Sequence, residues 1–256
     1  MLLRTIELPI EGNPAESMKR FCDAAATGPS PDIVLLPELF TTGYILDRIS
    51  EYAFEPGELA ELPLVQVSSD CGIWLVAGSL PVITDEGVVN TMPVYSPDGT
   101  LVYTTGKVHL FHQMGEDRAF IPGSCGGVFD LAGTPSAGMV CYDLRFPELA
   151  RRLTLNGAEI LFVPAEWPRA RRAVFRALLC ARAAEAQVFV AGCNLGGEHL
   201  GVSFNGGGGV AHPGGNMLKG TVIMDHITDY EVLMDDVALM RSKLNCLEDR
   251  RPEEYT

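Results

Sequence analysis

The feature that most limits what this chain can fold into is the way its short apolar runs are joined. "GVVNTMPVYS" and "TLVYTTGKVHL" flank the turn signal Pro97-Asp98-Gly99 and read as an antiparallel hairpin. "AEILFVPAE" and "VFVAGCN" are separated instead by "PRARRAVFRALLCARAAEAQ", a long helix with Ala, Val and Leu on one face. Strands joined in both ways build mixed sheets covered by helices, and a purely parallel Rossmann order fits less well.

The remaining segments follow the same grammar. "NPAESMKRFCDAAATG" opens with Asn13 as N-cap and Pro14 at the first helical position, and Gly28 stops it. "DIVLLPE" reads as a strand, Glu58 to Asp70 as a helix, and "IWLVAGSLPV" as strand again. "FPELARRLTLNG" reads as a helix ending at Gly157, "GVAHP" and "GTVIMD" as strands around the turn "PGGN", and "YEVLMDDV" as the last strand. No linker, charge run or internal repeat divides the chain. With 256 residues, 47% of them hydrophobic, one large core is sustainable, and a single domain over residues 1–256 is expected.

Acidic residues number 33 against 19 basic ones, a formal charge of −14, which argues against binding a phosphate backbone. The N-terminal "MLLRTIELPIEGNP" holds too short an apolar run for a signal peptide, and no segment approaches the roughly 20 apolar residues of a membrane-spanning helix. The expectation is a cytoplasmic protein with neither nucleic acid nor membrane as partner. Seven cysteines without a C-x-x-C spacing suggest neither a disulfide framework nor a zinc ribbon, and no metal site is expected. Cys22, Cys71 and Cys180 fall in helix-like stretches, where a thiol is ordinary core.

Cys141 is different. In "GMVCYDLRFPE" an apolar strand runs into Asp143, Arg145 and Pro147 within a few residues, and a reactive thiol needs neighbours able to hold or make a thiolate. Glu38 ends "DIVLLPE" and Lys107 ends "TLVYTTGK"; each alone reads equally as a solvated surface charge. Glu116, in "HQMGEDRAF", has no local feature to distinguish it. Together, a strand-end carboxylate, ammonium and thiol supply a base, an oxyanion partner and a nucleophile.

The blocks "LPELFTTGY", "GKVHLF....GE...FIPG", "VCYDLRFPE" and "VPAEWP..R.......LLCARAAEAQVFVAGCN" stand in the order and spacing of the nitrilase, or carbon–nitrogen hydrolase, superfamily. Within it the sequence most resembles the ω-amidase branch, over about residues 30 to 235. The resemblance implies an α/β fold, specifically a four-layer αββα sandwich, assembled as a homodimer or larger homo-oligomer. It implies a thiol amidohydrolase that cleaves a small linear carboxamide through a cysteine thioester and releases ammonia, without a cofactor. By the same resemblance Glu38 is the general base, Lys107 stabilises the tetrahedral intermediate, Cys141 is the nucleophile, and Glu116 positions substrate and water. The backbone N–H of Tyr142 is the second oxyanion donor, and Tyr44 and Trp167 wall the substrate pocket. Asp143 and Arg145 are expected to orient the nucleophile turn through buried hydrogen bonds and ion pairing, without touching substrate.

Three positions depart from the branch. Glu166-Trp167-Pro168 stands for Asn-Trp-Pro, Glu185-Ala186-Gln187 for Glu-Asn-Gln, and "NGGGG" follows Phe204 where a small hydroxyl residue is expected. A charged Glu166 in the pocket would oppose a substrate bearing its own carboxylate; turned away, it would pair with Arg169 or Arg171. A nitrile or N-carbamoyl substrate passes through the same thiol adduct, and a silent binding protein of this fold is the non-enzymatic alternative. Two rivals rest on other motifs. "FNGGGGVAHPGG" looks like a phosphate cradle but lacks the G-K-[ST] ending and reads as a flexible turn. Cys125 with His109 or His112 gives a papain-like pair in the wrong chain order.

Overall fold

The computed structural model describes residues 1–255. Strand β1 (Leu2–Ile6) leads through helix α1 (Pro14–Ala25) to β2 (Ile33–Leu35), α2 (Pro63–Cys71), β3 (Trp74–Val76), β4 (Leu80–Thr84), β5 (Gly87–Tyr95) and β6 (Leu101–Gly106). The middle of the chain forms β7 (Phe129–Leu131), β8 (Thr134–Gly138), α3 (Pro147–Leu155), β9 (Ile160–Ala165), α4 (Arg172–Ala186) and β10 (Phe189–Asn194). The small hairpin β11 (Glu198–His199) and β12 (Val202–Ser203) follows, then β13 (Gly209–Ala211), β14 (Thr221–Met224), β15 (Ile227–Glu231) and α5 (Asp235–Lys243).

Two sheets result. One runs β14-β15-β1-β2-β3-β5-β4, with β6 on β5, and the other runs β13-β10-β9-β8-β7. Both mix parallel pairs, such as β1 with β2 and β9 with β10, with hairpins such as β5 with β6. Alternation along the strands of the first sheet divides its side chains between two layers. Leu3, Ile33, Leu35 and Val76 pack toward Ala137, Ile160 and Phe162 of the second sheet, while Ile6, Val34, Leu36 and Leu75 pack with Phe21 of α1 and Leu64 of α2. Helices α3 and α4 bury Leu149, Leu153, Phe175 and Leu179 in the core they share with the second sheet. The order helix–sheet–sheet–helix is the four-layer αββα sandwich.

Local chemistry fixes several elements as read from the sequence. The Asn13 side chain accepts hydrogen bonds from the Ala15 and Glu16 N–H groups, and the Glu16 carboxylate accepts the Asn13 N–H in return, a complete capping box. The helix expected over Glu58 to Asp70 is broken at Pro63, with a 3₁₀ turn (Pro56–Glu61) before α2. "YEVLMDDV" is a correction: the strand stops at Glu231 and a helix starts at Asp235, its acidic residues in the first turn and Arg241 and Lys243 in the last, as the helix dipole favours. "GVAHP" and "GTVIMD" lie in different sheets, so the chain crosses between layers at "PGGN". Among the described residues, no helix is long and apolar enough to cross a membrane.

Candidate active site

Four strands of the two sheets end on one another. Glu38 follows β2 on a tight turn in which Leu39 takes φ 42° and donates its N–H to Ser79 Oγ at 3.0 Å. The turn packs so closely on Gly78 that a Cβ there would strike the Pro37 carbonyl. Lys107 follows β6 directly, and Glu166 and Trp167 follow β9. Cys141 opens a 3₁₀ turn (Cys141–Arg145) with φ 49°, a conformation that costs a non-glycine residue on the order of 1–3 kcal/mol unless its surroundings impose it.

Asp143 imposes it. One carboxylate oxygen accepts the N–H groups of Val140 at 3.0 Å and Val108 at 3.3 Å; the other accepts the His109 N–H at 2.8 Å and meets His109 Nδ1 at 2.7 Å. The residue before the cysteine is thereby tied to the two residues after the lysine. From the other side, buried Arg182 of α4 donates Nε–H to the Leu144 carbonyl at 3.0 Å.

Behind the cysteine lies a fully buried charged cluster. Lys107 Nζ donates to Glu38 Oε1 at 2.8 Å, to Glu116 Oε1 at 2.7 Å and to Tyr44 Oη at 2.8 Å. Tyr44 Oη donates to Glu38 Oε1 at 2.9 Å, Asn90 Nδ2 donates to the same oxygen at 2.9 Å, and the Glu166 backbone N–H reaches Glu38 Oε2 at 3.1 Å. Glu116 Oε2 accepts the Phe111 N–H at 2.7 Å. Glu38, Lys107, Glu116 and Cys141, remote in sequence, thus meet at one point. Tyr44 belongs to this cluster through its hydroxyl and also lines the cleft in front of Cys141.

The electrostatics follow from burial. Burial works against the Lys107 ammonium, but Glu38, Cys141 and Glu116 outweigh it and raise its pKa. Burial raises Glu116, against the pull of Lys107. Burial and Glu38 push the Cys141 thiol well above its usual range, with Lys107 opposing them. These influences favour the thiol form of Cys141, with the Glu38 carboxyl group beside it.

Cys141, Tyr142 and Tyr44 open into a small cleft whose other walls are Phe111, Met114, Arg145, Glu166, Trp167, Pro168 and Arg171. Trp167 is buried, its backbone clamped by Asn194: the Trp167 N–H donates to Asn194 Oδ1 at 2.6 Å, and Asn194 Nδ2 returns to the Trp167 carbonyl at 3.0 Å. Glu166 faces the cleft and pairs with neither Arg169 nor Arg171. Burial first, then Glu38, raises its pKa well above the usual carboxylate range, which favours the uncharged acid over the charged group expected. Arg145 is a second correction. Among the described residues it makes no ion pair; its guanidinium lies 4.8 Å from the Trp167 ring centre and 6.0 Å from that of Tyr142, on the cleft wall. Arg171, over Phe111 at 5.6 Å, is the other cationic wall.

The rival motifs are used elsewhere. His109 is held by Asp143 and stacked on Phe146, and His112 meets Asp117, so neither partners Cys125. The glycine-rich loop is tethered, not free: the N–H groups of Gly207 and Gly208 donate to the half-buried Glu7 carboxyl group at 3.1 and 2.9 Å, so the cradle is filled by the protein's own side chain. Asn90 and Phe111 are contributors to the site that sequence reasoning missed, and Arg145 and Arg171, read there as a turn-orienting residue and a partner for Glu166, stand on the cleft wall instead. Asn90 had a signal, being a lone amide in the apolar run "GVVNTMPVYS".

The carbon-nitrogen hydrolase family model matches residues 13–227. The chain belongs to the carbon-nitrogen hydrolase family. A 2-oxoglutaramate amidase of Bacillus subtilis is 36% identical over 247 residues, covering 95% of each chain. The omega-amidase YafV of Escherichia coli K12 is 33% identical over 192 residues, covering 73% of this chain and 71% of its own. Among solved structures, a mutant amidase from Nesterenkonia sp. AN1, bearing the product of Michael addition of acrylamide at its active-site cysteine, superposes with a TM-score of 0.80 at 28% identity, covering 95% of this chain and 98% of its own. The chain is accordingly an enzyme of this family, a carbon–nitrogen hydrolase with the nitrilase-superfamily fold.

Proposed function

We propose that this hydrolase is an amidase that deaminates a linear ω-amide whose far end is a carboxylate, through a thioester on Cys141. The observation that carries the reading is the placement of one buried lysine, bonded to two buried glutamates, behind a cysteine that shares its cleft with two arginines that have no carboxylate partner among the described residues. Glu38, the strongest influence on the Cys141 thiol after burial, takes its proton as sulfur attacks the carboxamide carbon. Lys107 and the Tyr142 N–H, which lies in the first turn beyond the reach of helical bonding, stabilise the oxyanion. Glu38 then passes the proton to the departing nitrogen, and ammonia leaves. Water, held by Glu116 and deprotonated by Glu38, attacks the thioester; the acid departs and the proton returns to sulfur.

Arg145 and Arg171 suit a carboxylate at the outer end of the substrate, and the names of the relatives as 2-oxoglutaramate amidase and omega-amidase support that class. Assembly as a homodimer or larger homo-oligomer of single-domain subunits is part of the same proposal, to be checked by light scattering. The test of substrate class compares ammonia release from a dicarboxylic acid monoamide and from its uncharged methyl ester. A kcat/KM favouring the acid by about tenfold or more, removed in Arg145→Met and Arg171→Met, is expected. Equal rates on both, or preference for the ester, would contradict it.

A further inference from the structure

Three carboxyls, those of Glu38, Glu116 and Glu166, surround the single ammonium of Lys107, and all are buried. Three adjacent negative charges cannot all persist beside one positive charge in a site from which water is excluded. The hydrogen bonds decide which one yields. Glu38 receives donors from Lys107, Tyr44, Asn90 and the Glu166 N–H, and Glu116 receives them from Lys107 and the Phe111 N–H. Among the described residues the Glu166 carboxyl receives none: its Oε2 is buried without a partner, and neither cleft arginine pairs with it. Burial and Glu38 both favour its acid form. An unpartnered buried polar group is costly to keep unless something else satisfies it, and this one lines the cleft that contains Cys141.

Resting on the ω-amidase reading above, we infer that Glu166 holds a proton and donates it as a hydrogen bond to a 2-oxo oxygen of the substrate, so that it selects 2-oxo ω-amides over analogues with a methylene or an ammonium-bearing carbon at that place. The other substrate oxygens already have partners. The carboxamide oxygen is served by Lys107 and the Tyr142 N–H, and the far carboxylate by the two guanidiniums. The position between them needs a neutral donor. An ionised glutamate there would repel a carbonyl oxygen and attract an amine, the reverse selectivity.

The test measures kcat/KM for 2-oxoglutaramate, glutaric acid monoamide and glutamine in wild type, Glu166→Gln and Glu166→Ala. Wild type is expected to prefer the 2-oxo amide, Glu166→Gln, which still donates, to keep that preference within about threefold, and Glu166→Ala to lose about tenfold or more of it. An unchanged preference in Glu166→Ala, or a wild type that prefers glutamine, overturns the inference. Infrared difference spectra give a reading independent of turnover: a protonated carboxyl band present in wild type and missing in Glu166→Gln at neutral pH is expected. Absence of that band in wild type overturns the inference even where amides are hydrolysed. Failure of wild type to hydrolyse any of the three overturns the ω-amidase reading itself.

Discussion

Two buried charge clusters in this molecule are built on opposite terms. In the first sheet, Arg4 of β1 lies opposite Asp229 of β15, with Nε and Nη2 bonded to its carboxylate at 2.7 and 2.9 Å. Two further guanidinium hydrogens go to the carbonyls of Thr27 and Pro29 at 2.5 and 3.0 Å. One positive charge meets one negative charge, and four of the five guanidinium N–H donors are bonded. At the junction of the sheets, Lys107 faces an excess of acid, an uncharged thiol and an orphaned carboxyl oxygen. A charge pair that serves the fold can be closed within the chain. The cluster beside Cys141 is left unbalanced among the described residues, with a carboxyl group next to a thiol, the pattern expected of a site built for chemistry.

The contrast breaks most visibly under mutation. Lys107→Met and Glu38→Gln should each lower kcat by about 10²-fold or more, and Cys141→Ala further still, in ammonia-release assays of variants with native circular dichroism. Asp229→Ala should do the opposite, leaving the kcat of the folded enzyme within about twofold while costing about 3–5 kcal/mol in urea unfolding, because a buried guanidinium loses its counter-charge. If Asp229→Ala impaired turnover as much as Lys107→Met does, the division between a structural and a functional cluster would fail.

Proton placement gives a subtler difference. Because burial and Glu38 raise the Cys141 pKa, alkylation of Cys141 by iodoacetamide in the absence of substrate should climb only above the pH at which a free thiol titrates. Glu38→Gln removes a raising influence, so it should shift that profile downward. A profile centred near neutrality in wild type would mean a resting thiolate.

How much of this was legible in the sequence depended on how local the cause was. Helix α1 was readable because Asn13, Pro14 and Glu16 carry its cap within a few residues, and the β5–β6 hairpin because Pro97-Asp98-Gly99 turns the chain on the spot. Helix α5 was hidden: the apolar Val232-Leu233-Met234 directly after β15 reads as more strand, and only Val237 of the helix is buried, so no amphipathic period marked it. Glu38, Lys107 and Cys141 stood out through the family blocks around them. The orientation of Arg145 was not available, since its turn reads equally well with the side chain inward or outward. Nor was the isolation of Glu166, which depends on partners from distant strands.

The smallest expected effect concerns that residue. Glu166 has a folded pKa above the value in the unfolded chain, so its contribution to stability is present below the unfolded pKa and declines as pH rises through the folded one. Glu166→Gln cannot ionise. Its Tm should therefore gain on that of wild type between acidic and alkaline pH, by a few degrees at most. A constant difference across that range would indicate a carboxyl that titrates normally.

The account turns on Cys141 as the atom that carries the acyl group. Rapid-quench intact-mass spectrometry of the wild-type enzyme during turnover of an ω-amide, followed by peptide mapping, observes that step directly. The account predicts an adduct equal to the substrate less ammonia, confined to the peptide containing Cys141 and absent from Cys141→Ala. Ammonia released at the wild-type rate with the acyl group on Cys125 or any other residue, or with Cys141 replaced by alanine, would contradict it.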